Sequence, residues 1–475
     1  MDTMENQSLR SAKTGLMPGE ARCPGITIQQ IVAKDLRPPP PVLAHENYRF
    51  LGDADIPVEG YYTREAFDQE RDKLWPRAWQ WACREEHIPE IGDSYLYEIV
   101  GYSILVVRTK RGIKAYFNSC LHRSTKFVTG EGQKQLKQIR CPFHGWAWKL
   151  DGSLLNIPCA WDFPHVDPEK FALPEVRVGL WGGFVFINMD AEAESLEDFL
   201  APIPEHFANW PLEDLFVEVH IAKVLPANWK LAQEAFVEAY HSMQTHPQIM
   251  RTVTDANIQY DVYSETVSRF YSAIGVSSPL YKGKLSEAEI AAEMVSGGRD
   301  AVGTIPMAEG ETARSVMSRV LRDGLAERYG RNLSSYSDSE VIDGIEYSLF
   351  PNMFLFPGLS LPMVYRFRPN GMDTESSVFE MLWLRPTPQT GARPAPAQPI
   401  FLGEATSFSA AAGLDPSFAI IYDQDVANLR AQQEGLRTAR KGQTLANYQE
   451  MRIRHFHLML DRFLNEANPP RNAPL

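Results

Sequence analysis

"CLHRSTKFVTGEGQKQLKQIRCPFHGW", residues 120–146, holds two cysteine–histidine pairs with 18 residues between them, Cys120-x-His122 and Cys141-x-x-His144. Thiolates and imidazoles are ligands for soft and borderline metals, and each pair offers one of each. Zinc is the first rival, but it usually draws ligand pairs from spacings of two or more residues, often with both histidines on one helix. One cysteine and one histidine per loop suits a [2Fe-2S] cluster better, with both cysteines on one iron and both histidines on the other. In "CPFHGW" the proline stiffens the loop, the glycine permits a tight backbone, and Phe143 and Trp146 limit water.

Short apolar runs punctuated by turn residues surround these loops: "SYLYEIV", "YSILVVRT", "IKAYFNSC", "WAWKLDGS" and "WGGFVFINM". This is strand patterning, so residues 48–190 read as a small all-β domain with the metal loops at its tips. A helix in "YYTREAFDQERDKLWPRAW" precedes it, capped by Thr63 and stopped at Pro76. Residues 1–47 read as an extended arm because of the four prolines in "LRPPPPVLAH", either wrapped on a neighbouring subunit or free.

Residues 191–475 have a different grammar. A short helix "SLEDFLAPI" and a strand "FVEVHIAKVLP" lead to a helix "NWKLAQEAFVEAYHSMQTHP" that must end at or before Pro247. A polar, helical segment at 284–345 is expected to be a mobile cover. Three strand-like runs follow ("IEYSLFPNMFLF", "LPMVYRFRP", "SSVFEMLWLRP"), then a Pro/Ala/Gly loop at 387–400 and helices from about 416. The fold class expected is α+β, an antiparallel sheet wrapped by helices beside the small β domain.

Composition excludes several alternatives. A net charge of −13 is wrong for a nucleic-acid scaffold. Five cysteines (Cys23, Cys83, Cys120, Cys141, Cys159) are too few for a disulfide framework in a chain of 475 residues. No run reaches the ~20 apolar residues of a membrane span, and the N-terminus lacks a signal-peptide core, so a cytoplasmic protein is expected.

A second constellation lies in "EAFVEAYHSMQTHP". Glu238 and His241 fall about 60° apart on an ideal helix, but His246 lies about 140° round from His241. The two histidines reach one ion only if the helix bends or unwinds before Pro247. Two imidazoles and one carboxylate make the facial triad of non-haem Fe(II) oxygenases, with open positions for dioxygen and substrate. The distant carboxylate expected is Asp425, read as opening a helix in "IIYDQDVANLRAQQEGL". Asp423 is its near rival and Glu238 a third candidate.

From about residue 48 onward the chain resembles the catalytic α subunit of a Rieske non-haem iron oxygenase, the ring-hydroxylating oxygenase family. The resemblance rests on the cluster loops, the "NWK" run at 228–230, the Glu-x-x-His-x4-His segment and the late Asp. It implies a Rieske [2Fe-2S] domain holding its cluster with Cys120, His122, Cys141 and His144. It also implies a helix-grip domain holding Fe(II) with His241, His246 and Asp425. The implied assembly is a head-to-tail trimer, with or without a small β subunit, in which Glu238 bridges His144 of one subunit to His241 of the next. Two departures stand out. Ser124 replaces a common glycine after Arg123, and Ala235 replaces a common asparagine in Glu234-Ala235-Phe236. Ala235, Phe236, Ser242 and Ile421 are the implied pocket residues.

No Gly-rich βαβ fingerprint for a flavin or nicotinamide is present, so electrons must come from a separate reductase, with a ferredoxin where one is used. The activity implied is oxygenation of a hydrophobic or aromatic substrate, to which Met243, Met250, Phe354 and Phe356 also point. Oxidative N- or O-dealkylation is the alternative, and a Rieske electron carrier without oxygenase activity the remote one.

Overall fold

The computed structural model describes residues 15–130, 132, 134–296 and 306–467. The start of the expected arm, part of the 284–345 segment and the last eight residues lie outside the described residues. Among the described residues, nine strands build the first domain: β1 (Gln80–Arg84), β2 (Ser94–Ile99), β3 (Tyr102–Thr109), β4 (Gly112–Phe117), β5 (Ile139–Arg140), β6 (Ala147–Trp148), β7 (Leu154–Asn156), β8 (Glu175–Trp181) and β9 (Phe184–Asn188). Six form one antiparallel sheet in the order β1-β9-β8-β4-β3-β2, and β5-β6-β7 form a second, smaller sheet. Gly182 and Gly183 join β8 to β9 with φ of 58° and 75°, the backbone of a tight hairpin turn that glycine enters without strain. The expected helix is present as Arg64–Gln69, with the Thr63 side chain accepting from Ala66 N–H, and it continues as a π-helical turn, Glu70–Leu74.

The second domain is one eight-stranded sheet. Its strands are β10 (Leu215–Leu225), β11 (Gln259–Val262), β12 (Val267–Ser272), β13 (Gly344–Leu349), β14 (Met353–Leu355), β15 (Met363–Pro369), β16 (Ser377–Pro386) and β17 (Pro399–Leu402). Their order is β11-β12-β13-β14-β15-β16-β10-β17. Two expectations are corrected here. The run "IEYSLFPNMFLF" is two strands, broken at Phe350-Pro351, and the Pro/Ala/Gly loop contains β17, which pairs parallel to β10. The sheet is therefore antiparallel except at that edge.

Alternation along β15 sorts the two faces. Met363, Tyr365 and Phe367 meet Leu231, Phe236, Tyr422 and Leu429 on the helix side. Val364 instead joins a core made with Trp79, Trp81, Phe184 and Phe186 of the β domain. A bulge at Glu218 lets Val217 and Val219 serve opposite faces although they are two residues apart.

Arg366, buried on the β-domain side, pairs with Glu380 at 2.7 Å, donates to the Trp81 carbonyl and stacks on the Trp81 ring at 3.8 Å. It ties the two domains through groups that have no water to fall back on. Arg366→Ala leaves buried Glu380 to His220 at 2.9 Å and Arg368 at 3.4 Å, so a loss of about 3 kcal/mol is expected in chemical denaturation.

The described part of the arm is not extended throughout and packs on its own chain. Thr27 caps a helix, Ile28–Val32, that buries Ile28, Ile31 and Val32, with Leu43, in the core shared with β12 and β13. Tyr61 is likewise buried in the catalytic domain's core, so residues 48–62 pack with that domain rather than with the β sheet. The 284–345 segment supplies helices Glu287–Ser296, Ala313–Tyr329 and Asp338–Ile342. Buried Arg314 pins the second of these to Asp35 and Asp343, each at 2.6 Å.

The C-terminal helix Met451–Asn465 carries His455, whose Nε2–H donates to the Ser264 carbonyl at 2.8 Å. Burial lowers its pKa to about 4. The folded state then holds the ring neutral while the unfolded chain protonates it near 6.5, so its stabilisation is present above pH 6.5 and lost as pH falls toward 4. Between pH 7 and 5 this costs about 2 kcal/mol. His455→Gln, which keeps an N–H for Ser264, is expected to flatten the pH dependence of the denaturant midpoint by that amount.

Candidate active site

The two cluster loops are built alike. Cys120 N–H donates to the Thr125 carbonyl (3.0 Å) and Ser124 N–H returns to the Cys120 carbonyl (2.9 Å). Cys141 N–H donates to the Trp146 carbonyl (2.8 Å) and Gly145 N–H returns to the Cys141 carbonyl (3.1 Å). Each loop turns back through a left-handed residue four positions after its cysteine, Ser124 at φ 59° and Gly145 at φ 76°. The departure to serine thus falls where the backbone favours glycine.

The loops bring the His122 and His144 rings to 4.6 Å between centroids, and Trp146 stacks flat on His122 at 5.0 Å. Both Nδ1 atoms are buried without a hydrogen-bond partner. Burial pushes the Cys120 thiol up. At Cys141 burial is outweighed by the Phe143 and His144 backbone N–H groups, which pull its pKa down. Two orphaned imidazole nitrogens and two buried cysteines, one with its thiol pKa pulled down, fit a [2Fe-2S] cluster held by these four residues.

In the second domain the helix expected to bend or unwind before Pro247 forms two pieces, Trp229–Glu234 and Ser242–Thr245. Glu238 and His241 lie in the unwound stretch between them, and the unwinding lets His241 and His246 converge. Their Nε2 atoms lie 3.3 and 2.6 Å from the same oxygen, Asp425 Oδ1. One ligand atom from each of the three residues falls within 4.8 Å of the others. Asp425 sits near the end of the helix Pro416–Ala427, not at its opening. Its rival Asp423 faces away, accepting from Phe408 N–H (3.0 Å) and from Ser407.

The second nitrogen of each ring is also held. His241 Nδ1–H donates to Glu238 Oε1 (2.6 Å) and His246 Nδ1–H to Gln424 Oε1 (2.8 Å), which leaves both Nε2 lone pairs for a cation. Glu238 Oε2 accepts from His241 N–H as well (3.1 Å). Burial opposes a charged His241 ring, but Asp425 and Glu238 outweigh it and push its pKa up to about 10. This pocket favours positive charge, and its donor set fits a divalent iron. Gln424 was not singled out from sequence, since a glutamine beside an aspartate on a helix carries no signal of its own.

A cavity of about 170 Å3 opens beside this cluster. Ala235, His241 and Asp425 line it with Glu234, Glu238 and Glu450. Of the other implied pocket residues, Phe236 is packed in an aromatic stack with Phe367, Phe379 and Tyr422, Ser242 is buried at the start of its short helix, and Ile421 is half-buried. Phe354 and Phe356 are likewise core residues, while Met243 and Met250 are half-buried.

Comparison with known families matches residues 78–167 to the Rieske [2Fe-2S] domain and residues 205–466, more than half of the chain, to the ring hydroxylating alpha subunit (catalytic domain). The chain belongs to the ring-hydroxylating alpha-subunit family. Within that family it is 33% identical over 215 residues to the carnitine monooxygenase oxygenase subunit of Escherichia coli (strain K12), covering 45% of this chain and 56% of that protein. It is 29% identical over 203 residues to the glycine betaine monooxygenase oxygenase subunit of Pseudomonas aeruginosa (strain UCBPP-PA14), covering 42% and 46%. The chain thus matches about half the length of these curated relatives. Among solved structures, a quaternary ammonium Rieske monooxygenase in complex with an inhibitor superposes with a TM-score of 0.60 at 18% identity, over 86% of this chain and 95% of that one. The family's two cofactors, a Rieske [2Fe-2S] cluster and a mononuclear iron, accord with the two donor sets found here. No helix among the described residues is long and apolar enough to cross a membrane.

Proposed function

We propose that this chain is the terminal oxygenase of a multicomponent Rieske system and that its substrate is a small cation carrying N-methyl groups, oxidised at a carbon bound to nitrogen. The observation that carries this reading is the cavity beside His241 and Asp425. Glu234, Glu238 and Glu450 line it, and no lysine or arginine does. Carboxylates crowded in a partly buried cavity attract a cation and disfavour an anion or a wholly apolar ring. The names of the two curated relatives, whose substrates carnitine and glycine betaine each bear a quaternary N-methyl ammonium group, point the same way, toward dealkylation rather than the aromatic substrate expected from sequence.

In this reading Cys120, His122, Cys141 and His144 hold the cluster, and His241, His246 and Asp425 hold the iron. When bound, the two groups supply single-electron transfer and dioxygen activation. Overall, one oxygen atom enters a C–H bond and the other leaves as water, at the expense of two electrons and two protons. The hydroxylated carbon then loses nitrogen by C–N cleavage.

The chain's own residues do the positioning. Glu238 and Gln424 orient the two imidazoles, and the aromatic wall of Phe236, Phe379 and Tyr422 keeps bulk water from the buried side. Electrons arrive from a separate reductase, with or without a ferredoxin, and a homotrimer brings the cluster of one subunit to Glu238 of the next. Phe143, exposed and packed on the His144 ring at 3.8 Å, gives the cluster end an apolar face for such docking.

The test is electron paramagnetic resonance on dithionite-reduced, iron-replete protein with nitric oxide, titrated with carnitine, glycine betaine, biphenyl and an O-methylated arene. A Rieske signal and an iron–nitrosyl signal reshaped by the two quaternary ammonium compounds alone support the proposal. Reshaping by biphenyl alone returns the substrate to the aromatic class, and absence of a nitrosyl signal leaves only an electron carrier.

A further inference from the structure

Glu234 ends the helix Trp229–Glu234, is buried, and takes no part in the His241–His246–Asp425 cluster. Its carboxylate accepts from the Tyr61 hydroxyl at 2.8 and 3.1 Å and from His457 Nε2–H at 2.8 Å, and the hydroxyl and that ring nitrogen are 2.9 Å apart. The three residues come from the segment before the β domain, the catalytic helix and the C-terminal helix. On its other side Glu234 faces the cavity that His241 and Asp425 also line. One turn beyond His457, exposed Asp461 interacts electrostatically with that ring. A line of titratable groups therefore runs from solvent to the cavity.

We infer that Asp461, His457 and Glu234, with Tyr61 holding the carboxylate in place, form a proton relay into the cavity beside the proposed iron site. The inference rests on the oxygenase reading, in which each turnover consumes two protons beside the cavity that Glu234, His241 and Asp425 line. The O–H bond of protonated Glu234 breaks as water in the cavity takes the proton. The carboxylate regains one from His457 Nε2–H, and the imidazole is reprotonated from solvent past Asp461. No electrons move.

The charges around Glu234 suit this role. Glu450 and Glu238 share its cavity; burial pushes Glu450 up, the Ala446 N–H pulls it down, and Glu238 and Glu234 push it up again, so the cavity favours proton uptake. Arg454 opposes this at Glu450. Lys230 lies 5.6 Å from the centroid of the Tyr61 ring, but its charge is taken up by buried Glu70.

The competing explanation is a structural knot that ties three segments together. Holoenzyme carrying Glu234→Gln, Glu234→Asp or Tyr61→Phe separates the two. For the relay, Glu234→Gln keeps the Rieske and iron–nitrosyl signals but slows single-turnover oxidation of carnitine about 100-fold, with a raised solvent deuterium isotope effect. Glu234→Asp recovers to within about tenfold of the native rate. In iron-free protein an infrared band of a carboxyl group with an exchangeable proton, identified by its shift in D2O, is absent from Glu234→Gln. A native rate and isotope effect in Glu234→Gln, or no band lost from the iron-free protein, overturns the relay. If Glu234→Gln does not fold, Tyr61→Phe decides: an altered pH–rate profile supports the relay and an unchanged one overturns it. Should the native protein give no nitrosyl signal and no product, the oxygenase reading fails, and the infrared band still reports on the relay.

Discussion

Asp425→Ala is expected to empty the mononuclear site while leaving the cluster untouched. Asp425 Oδ1 is the atom on which both imidazoles converge, and its side chain is 7% exposed, so water cannot replace it as an anionic ligand. A divalent ion left with two neutral nitrogens loses the charge that holds it. Iron analysis should fall toward the content of the cluster alone, and turnover should drop by about 1,000-fold or more. The reduced Rieske signal should persist, because Cys120, His122, Cys141 and His144 lie in the other domain. A variant that keeps native iron and turnover would remove Asp425 from the ligand set and reopen the choice that Asp423 and Glu238 represent.

Glu238→Ala is the second large effect and separates two duties of one carboxylate. Within the chain, Glu238 holds both the ring and the backbone N–H of His241, at 2.6 and 3.1 Å. Loss of such a support typically lowers metal affinity or activity by about 10–100-fold. If Glu238 also joins His144 of a neighbouring subunit, electron delivery fails as well. The variant would then reduce its cluster normally but oxidise no substrate even when iron is restored. Stopped-flow reduction of the cluster compared with product per reduced cluster distinguishes these outcomes. Full recovery of turnover on adding iron would confine Glu238 to supporting His241. Glu238→Asp tests whether a shorter side chain still reaches Nδ1.

Helix propensity and site geometry compete in the segment that carries the two histidines. "NWKLAQEAFVEAYHSMQTHP" is rich in helix formers and reads as a helix that must bend or unwind for its histidines to meet, and the break falls at residues 235–241. Convergence of His241 and His246, five residues apart, demands that break. The aromatic stack under Phe236 and the hydrogen bond from Ala239 N–H to buried Tyr260 hold it open. β17 was missed for a related reason: four residues within a proline-rich loop become a strand only because β10 offers an unpaired edge. The arm was read as extended from its prolines. Its short helix forms because Ile28, Ile31 and Val32 find a face of the sheet to cover.

What the chain's order of residues determined by itself is the cluster. Its four candidate ligands lie within 25 positions, on two tight loops whose turns are set by local backbone chemistry, and no distant segment is needed to aim them. The type of each domain was legible too, because strand alternation and turn residues are local signals. Tertiary structure alone decided which acid meets the histidines, 179 residues from His246, and that Gln424 holds the far side of that ring. It alone joined Tyr61, Glu234 and His457, and it gave the cavity its acidic lining. Such groups have no mutual spacing along the chain to betray them: packing of the helices against the sheet sets their distances, and burial gives those distances their energetic weight.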